Sequence, residues 1–126
     1  MTAEELRKVS GGVIGHFTPK ELTVDADKLI VGDNTIGLKV PANKFLYGAY
    51  IKNDRDDLAS GGAATVKVTV GSTDVISATG VSDLKGKGVA ALDTSPDYAA
   101  AEREVKLTVA TAAYTAGKLI VGVIYG

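Results

Sequence analysis

Strict alternation of apolar and polar residues along short segments is the feature of this sequence that most constrains its fold. The segment ATVKVTV (64–70) places three valines on one face of an extended chain and polar residues on the other. VKLTV (105–109) repeats the pattern. Because a helical period of 3.6 cannot separate the two classes in this way, both segments are predicted to be half-buried antiparallel strands. The side chains expected to face the core are Val66, Val68, Val70, Val105, Leu107 and Val109.

Gly, Asp and Asn separate the apolar runs at intervals of about 8–12 residues, a spacing typical of an all-β sandwich or barrel. Gly32-Asp33-Asn34 separates LIV (29–31) from the next run, and Gly71-Ser72-Thr73-Asp74 follows ATVKVTV. Both patterns predict β-hairpins. The segment TSPDYAAAEREV (94–105) leaves two alternatives open, a short helix or an exposed β-loop.

The first dozen residues differ from the rest of the chain. Thr2 and Glu5 have the spacing of a capping box, and Ser10-Gly11-Gly12 would end any helix begun there. The length of 126 residues suits a single domain. We therefore predict a short N-terminal arm over residues 1–12 and an antiparallel β-sandwich domain over residues 13–126.

Two segments are apolar on both faces, which one layer of a sandwich does not require. In KFLYGAYI (44–51) one face is expected to carry Phe45, Tyr47, Ala49 and Ile51. In KLIVGVIY (118–125) one face carries Leu119, Val121, Val123 and Tyr125, and the other carries Ile120, Gly122 and Ile124. Either loops or the arm cover the second face, or Ile120 and Ile124 form a subunit interface.

The residues that carry chemistry are few. The chain has no cysteine and one histidine, His16, which excludes thiol catalysis, disulfides and a multi-histidine metal site. The acidic cluster Asn53–Asp57 lacks the glycine and distant glutamate of a calcium loop, so a solvated hairpin tip that leads into a long flexible connection over 58–62 is favoured. Gly86-Lys87-Gly88 lacks the rest of a phosphate-binding loop. We expect no enzyme activity, no cofactor and no metal.

Charge and hydropathy limit the possible partners. Lys and Arg number 14 and Asp and Glu 15, a formal net charge of −1, and neither half of the chain has a basic excess. This balance argues against nucleic-acid binding. No segment approaches the ~18 consecutive apolar residues of a membrane span, and the first residues lack the apolar stretch of a signal peptide. We expect a soluble product made in the cytoplasm, without a membrane partner.

The order of the segments resembles that of the small head decoration (cement) proteins of tailed bacteriophages. The resemblance covers most of residues 30–125. It is carried by IGLKVPANKFLYGAYIKND (36–54), by a Gly-rich loop and ATVKVTVGSTDVISAT (64–79), and by EVKLTVATAAYTAGKLIVGVIY (104–125).

The resemblance implies a jelly-roll-like sandwich that binds the outside of an assembled capsid and clamps neighbouring major capsid subunits. Such proteins act as homodimers or homotrimers on the outer surface of the virion. In this chain the arm and the start of the domain would supply the apolar capsid contacts, the alternative being an arm without function. The candidate contact residues are Leu6, Val9, Val13, Ile14 and Phe17. The alternative function is a phage tail or fibre component, or another carbohydrate-binding β-module that recognises a cell surface.

Overall fold

The structure, a computed structural model, describes residues 18–126 and is almost entirely built of strands. The strands are β1 (Thr18–Asp25), β2 (Gly32–Val40), β3 (Lys44–Lys52), β4 (Ala59–Ser60), β5 (Thr65–Val70), β6 (Thr73–Gly80), β7 (Gly88–Ala99), β8 (Arg103–Ala110), β9 (Tyr114–Ala116) and β10 (Lys118–Tyr125). A 3-10 turn covers Ala26–Lys28, and one helical turn, α1, covers Val81–Leu84. No helix among the described residues is long and apolar enough to span a bilayer.

The strands form two four-stranded antiparallel sheets and a small ribbon. Sheet A has the order β1-β10-β3-β7, sheet B has the order β2-β8-β5-β6, and β4 pairs with β9. Apart from the ribbon, the first strand pairs with the last and each later strand with its mirror: β1 with β10, β2 with β8, β3 with β7 and β5 with β6. This nested pairing is the jelly-roll arrangement of two Greek keys. The predicted all-β antiparallel sandwich is confirmed.

The core lies between the sheets and is made largely of β-branched residues and leucine. All six side chains that the alternation placed inside β5 and β8 are at most 2% exposed. In β10, Leu119, Val121 and Val123 are fully buried in the same layer. Alternation therefore predicted the inner faces of these strands correctly, because in each the backbone keeps a regular two-residue period.

Strand β3 departs from the predicted alternation at a β-bulge. Its pairing with β10 shifts by one residue between Leu46 and Gly48, which leaves Tyr47 as the extra residue. Leu46 and Ile51 consequently both face the core, and Phe45 is 42% exposed. The prediction that Phe45 shares the face of Ile51 is wrong, because a bulge reverses the facing of every residue on one side of it.

Three further segments differ from the sequence predictions. Residues 29–31 form no strand, and β2 begins only at Gly32. The connection over 58–62 is anchored at Leu58, which is 1% exposed, and its residues Ala59–Ser60 pair with β9. The helix considered for 94–105 is absent, because β7 continues to Ala99. The predicted hairpin at Gly71 is confirmed, since β5 pairs with β6 and Gly71 has a φ of 61°.

Candidate assembly interface

The outer face of sheet A carries apolar residues along its central strand, β10, with polar residues on the strands beside it. Register aligns its residues in rows that cross β1, β10 and β3. From one end of the strands to the other, the rows are Thr23–Ile120–Lys52, Glu21–Gly122–Tyr50 and Pro19–Ile124–Gly48. These residues point outward because the intervening β10 residues, Leu119, Val121 and Val123, are fully buried.

Tyr50 bridges three strands at the centre of this surface. Its ring lies directly over Gly122, where a Cβ atom would collide with the tip of the ring. Its hydroxyl donates a hydrogen bond to Oε2 of Glu21 on β1. Burial, reinforced by the Glu21 carboxylate, raises the pKa of Tyr50 to about 12, so the hydroxyl remains a donor at neutral pH. Glycine at position 122 thus makes room for a ring that covers part of the outer face.

Ile120 and Ile124 lie on β10 on either side of Gly122, and both are half-buried. Their position on the outer face, away from the core, is as the sequence predicted. The side chain of Tyr50 covers the strand between them. The Tyr50 side chain of the sheet therefore covers part of this face, and the two isoleucines stay partly accessible on either side of the ring.

Aromatic residues continue the outer face of sheet A toward one end of the sandwich. Phe45 exchanges backbone hydrogen bonds with Gly126, 2.9 and 3.1 Å long, which extends the ladder beyond Ile124. Tyr98 of β7 stands opposite Phe45, with ring centroids 5.2 Å apart, and is 50% exposed. Tyr47 lies 6.3 Å from Phe45, centroid to centroid. This cluster was not predicted from the sequence. The alternation of apolar and polar residues shows neither the bulge that turns Phe45 outward nor the strand pairing that brings Tyr98 to it.

The outer face of sheet B is polar, and several of its side chains pair with one another. Lys67 lies 3.4 Å from the Asp74 carboxylate, which also accepts a hydrogen bond from Thr69 at 3.3 Å. Thr108 donates a hydrogen bond of 2.7 Å to Asp33. Such a face is suited to water. The two outer faces of one sandwich therefore differ sharply, and only that of sheet A has the character of a protein contact.

The remaining polar clusters offer little for chemistry. A hollow of about 390 Å³ is lined by three carboxylates, Asp25, Asp27 and Asp57, but Lys28 and Lys118 lie 3.6 and 3.9 Å from Asp25. Among residues 18–126 no group of three His, Cys, Asp or Glu side chains is placed to hold a metal ion.

The predicted capsid-contact residues and His16 precede Thr18 in the chain. Leu6, Val9, Val13, Ile14, Phe17 and His16 lie outside the described residues, as does the predicted boundary at residue 12. The described chain begins at Thr18, in the edge strand of sheet A beside β10.

The fold is similar to that of chains in three phage capsid structures. A chain in the capsid of Ralstonia phage GP4 has 22% identity and a TM-score of 0.57, over 88% of this chain and 84% of that one. A chain of the cyanophage Pam1 capsid asymmetric unit has 21% identity and a TM-score of 0.62, over 87% and 84%. A chain of the acidic stable capsid of Helicobacter pylori bacteriophage KHP30 has 12% identity and a TM-score of 0.60, over 86% of both.

These similarities are of fold, between whole chains of comparable length, since each alignment spans more than four-fifths of both partners. No family model matches the sequence, and no curated protein is similar enough to count as a relative. The chain has a fold found in phage capsid structures.

Proposed function

We propose that this chain is a non-enzymatic phage structural protein that binds the outside of the capsid and clamps neighbouring major capsid subunits. The observation that carries the proposal is the contrast between the outer face of sheet A, where isoleucines and aromatic rings gather, and the polar outer face of sheet B. A sandwich with one face for water and one for protein suits a component of an assembly. The similarity in fold to chains of three phage capsids indicates which kind of assembly.

The outer face of sheet A would join copies of the chain into a homodimer or homotrimer. Ile120, Ile124 and the Tyr50 ring form its apolar centre, and Glu21 and Lys52 stand at neighbouring register positions. This arrangement of an apolar centre and a polar rim is that of ordinary subunit interfaces. Several copies on one shell would then bind with avidity, so that each single contact can be weak.

The arm would supply a contact with the shell. Its candidate residues Leu6, Val9, Val13, Ile14 and Phe17 are apolar, and an extended segment there could add main-chain hydrogen bonds by pairing with a strand of the shell protein. The chain enters the sandwich at Thr18, the first residue of an edge strand. An edge strand has one side free of its own sheet, which leaves room for such pairing.

Co-sedimentation with closed, empty shells of the source phage's major capsid protein tests the proposal. Shells that are complete before the chain is added present only their outer surface, so pelleting of the full-length chain with them is expected. Deletion of residues 2–12 is expected to weaken the binding by about tenfold, through the loss of Leu6 and Val9. Undiminished binding would remove the arm from the mechanism.

Two results would contradict the capsid role itself. Failure of the folded full-length chain to pellet with closed shells would exclude binding to the outer surface. Binding to host-cell polysaccharide in the absence of shell binding would favour a tail or fibre component. An unrelated jelly-roll protein of similar mass is the control for trapping in the pellet.

A further inference from the structure

Two large apolar side chains project from the end of the sandwich opposite Thr18. Ile30 is 64% exposed and Val31 is 55% exposed, compared with 50% for Tyr98 and 42% for Phe45. They follow Ala26 and Leu29, which are buried and anchor the segment to the core. We call Ile30 and Val31 the apolar tip.

The side chain of Asn34 holds the backbone of the apolar tip in place. Its Oδ1 accepts a hydrogen bond of 2.9 Å from the Ile30 N–H, and its Nδ2 lies 2.9 Å from the Ile30 carbonyl oxygen. The same Nδ2 lies 3.0 Å from the Gly32 carbonyl oxygen and 3.1 Å from that of Leu107, so its two hydrogens are shared among three acceptors. Leu107 belongs to β8, and its bond ties the loop to sheet B.

The hydrogen bonds of Asn34 to Ile30 explain why residues 29–31 form no strand. Asn34 occupies both backbone hydrogen-bonding groups of Ile30, which a neighbouring strand would otherwise use. Gly32, with a φ of 114°, then turns the chain into β2 in a conformation that favours glycine. The apolar tip is thus exposed on an ordered backbone, and its binding to a partner would cost little ordering entropy.

The size of the apolar tip determines what kind of partner it fits. A stable dimer buries roughly 800 Å² on each partner, which two side chains cannot supply by meeting their own copies. Two projecting side chains on an ordered backbone are suited to a pocket on a partner, provided that other contacts already hold the partner close. The flanking charges do not call for a charged pocket, since Lys28 lies 3.6 Å from Asp25 and Asp33 accepts a hydrogen bond from Thr108.

The apolar tip and the arm leave the sandwich at opposite ends. Thr18 pairs with Tyr125 at one end of the β1–β10 ladder, and Asp25 pairs with Lys118 at the other, one residue before the turn that leads to the tip. The seven residue steps from Thr18 to Asp25 separate the two ends by about 23 Å. One chain therefore presents two contacts that can reach two different neighbours.

We propose that the apolar tip is a second anchor to the shell, which inserts Ile30 and Val31 into an apolar pocket of a major capsid subunit other than the one that holds the arm. The inference rests on the proposed capsid function. The arm and the apolar tip would then be the two contacts by which one chain holds two neighbouring capsid subunits. Asn34 is a positioning residue for this contact, since it acts on the partner only through the backbone of the tip.

The test is co-sedimentation with closed shells of Ile30→Ser/Val31→Ser against the full-length natural chain. Loss of two central apolar contacts is expected to weaken binding by about tenfold or more. The swapped variant Ile30→Val/Val31→Ile keeps the tip apolar and is expected to bind as the natural chain does. Both sites are exposed, so both variants are expected to keep the natural melting temperature and circular dichroism spectrum.

The outcomes separate the inference from the proposed function. Equal binding by the serine variant and the natural chain would overturn the apolar tip as an anchor and leave the capsid function intact. Absence of binding by the natural chain would overturn both. If the serine variant unfolds, Val31→Asp alone replaces it, and its unchanged binding would likewise overturn the inference.

Discussion

At the scale of single residues, Asn53 is a fully buried polar side chain whose hydrogen bonds link separate segments of the chain. Its Nδ2 donates to Oδ1 of Asp57 at 2.7 Å and to the Lys118 carbonyl oxygen at 2.8 Å. Its Oδ1 accepts from the N–H groups of Asp57 and Gly86, at 3.2 and 3.1 Å. One amide thereby joins the loop after β3, the loop before β7 and the start of β10. The prediction of a solvated tip over 53–57 is confirmed for residues 54–57, which are exposed, and is wrong for Asn53, which is buried.

Asn53→Asp is expected to lower the free energy of unfolding by about 2–4 kcal/mol at neutral pH. The change keeps the shape of the side chain but removes the N–H donor to the Lys118 carbonyl oxygen and places a second carboxylate against Asp57. Chemical denaturation measures the loss. The neighbouring Asp54→Asn is the matched control, since Asp54 is exposed, and it should change stability by no more than about 0.5 kcal/mol. Equal stability of the two variants would show that the amide does not hold the loops.

At the scale of elements, Tyr50 and Gly122 couple β3, β10 and β1 through a side chain that crosses all three. Replacement of glycine by alanine in a strand ordinarily stabilises it by about 0.5–1 kcal/mol. Here the added methyl group would meet the Tyr50 ring and displace it from Glu21.

Gly122→Ala is therefore expected to destabilise the natural chain and to stabilise the Tyr50→Ala variant by about 0.5–1 kcal/mol. A double-mutant cycle by chemical denaturation measures the two effects, and their opposite signs are the result that identifies the ring as the cause. The same sign in both backgrounds would mean that something other than the ring requires glycine at this position. The control is Ala49→Gly, an exchange between alanine and glycine at a buried position on the inner face of the same sheet. Its effect on the free energy of unfolding should be the same with and without the Tyr50 ring.

The elements also show how far the sequence alone predicts this fold. In regular strands such as β5 and β8 the inward-facing residues were predictable one by one, because each strand has one buried and one polar face. Phe45 and Ile30 were not, since a one-residue bulge decides the facing of the first and the Asn34 side chain decides the conformation of the second. The order of strands in the sheets depends on pairing between distant segments, which alternation does not record. The predicted interface residues Ile120 and Ile124 do share the outer face, because β10 has no bulge between them.

At the scale of the whole molecule, the unlike faces of the sandwich have a consequence for its behaviour in solution. Sheet B presents charges and hydroxyls that are paired with one another, whereas sheet A presents isoleucines and aromatic rings. A formal net charge of −1 provides little repulsion between copies. Copies of the chain are therefore expected to associate through sheet A, since an isologous contact doubles the apolar area that is removed from water.

Ile120→Lys/Ile124→Lys is expected to convert the oligomer to a folded monomer of 12.9 kDa in light scattering. Two charges at the centre of the contact would have to be buried without partners, which costs far more than the rest of the surface can offset. The control is Thr35→Lys/Thr65→Lys, which adds the same charge to the outer face of sheet B and should leave the mass of the oligomer unchanged. An unchanged mass of the isoleucine variant, with its circular dichroism spectrum retained, would exclude this face as the interface. A natural chain that is monomeric at all concentrations would also exclude this face as the interface. Capsid subunits would then be held by the arm and the apolar tip of a single copy.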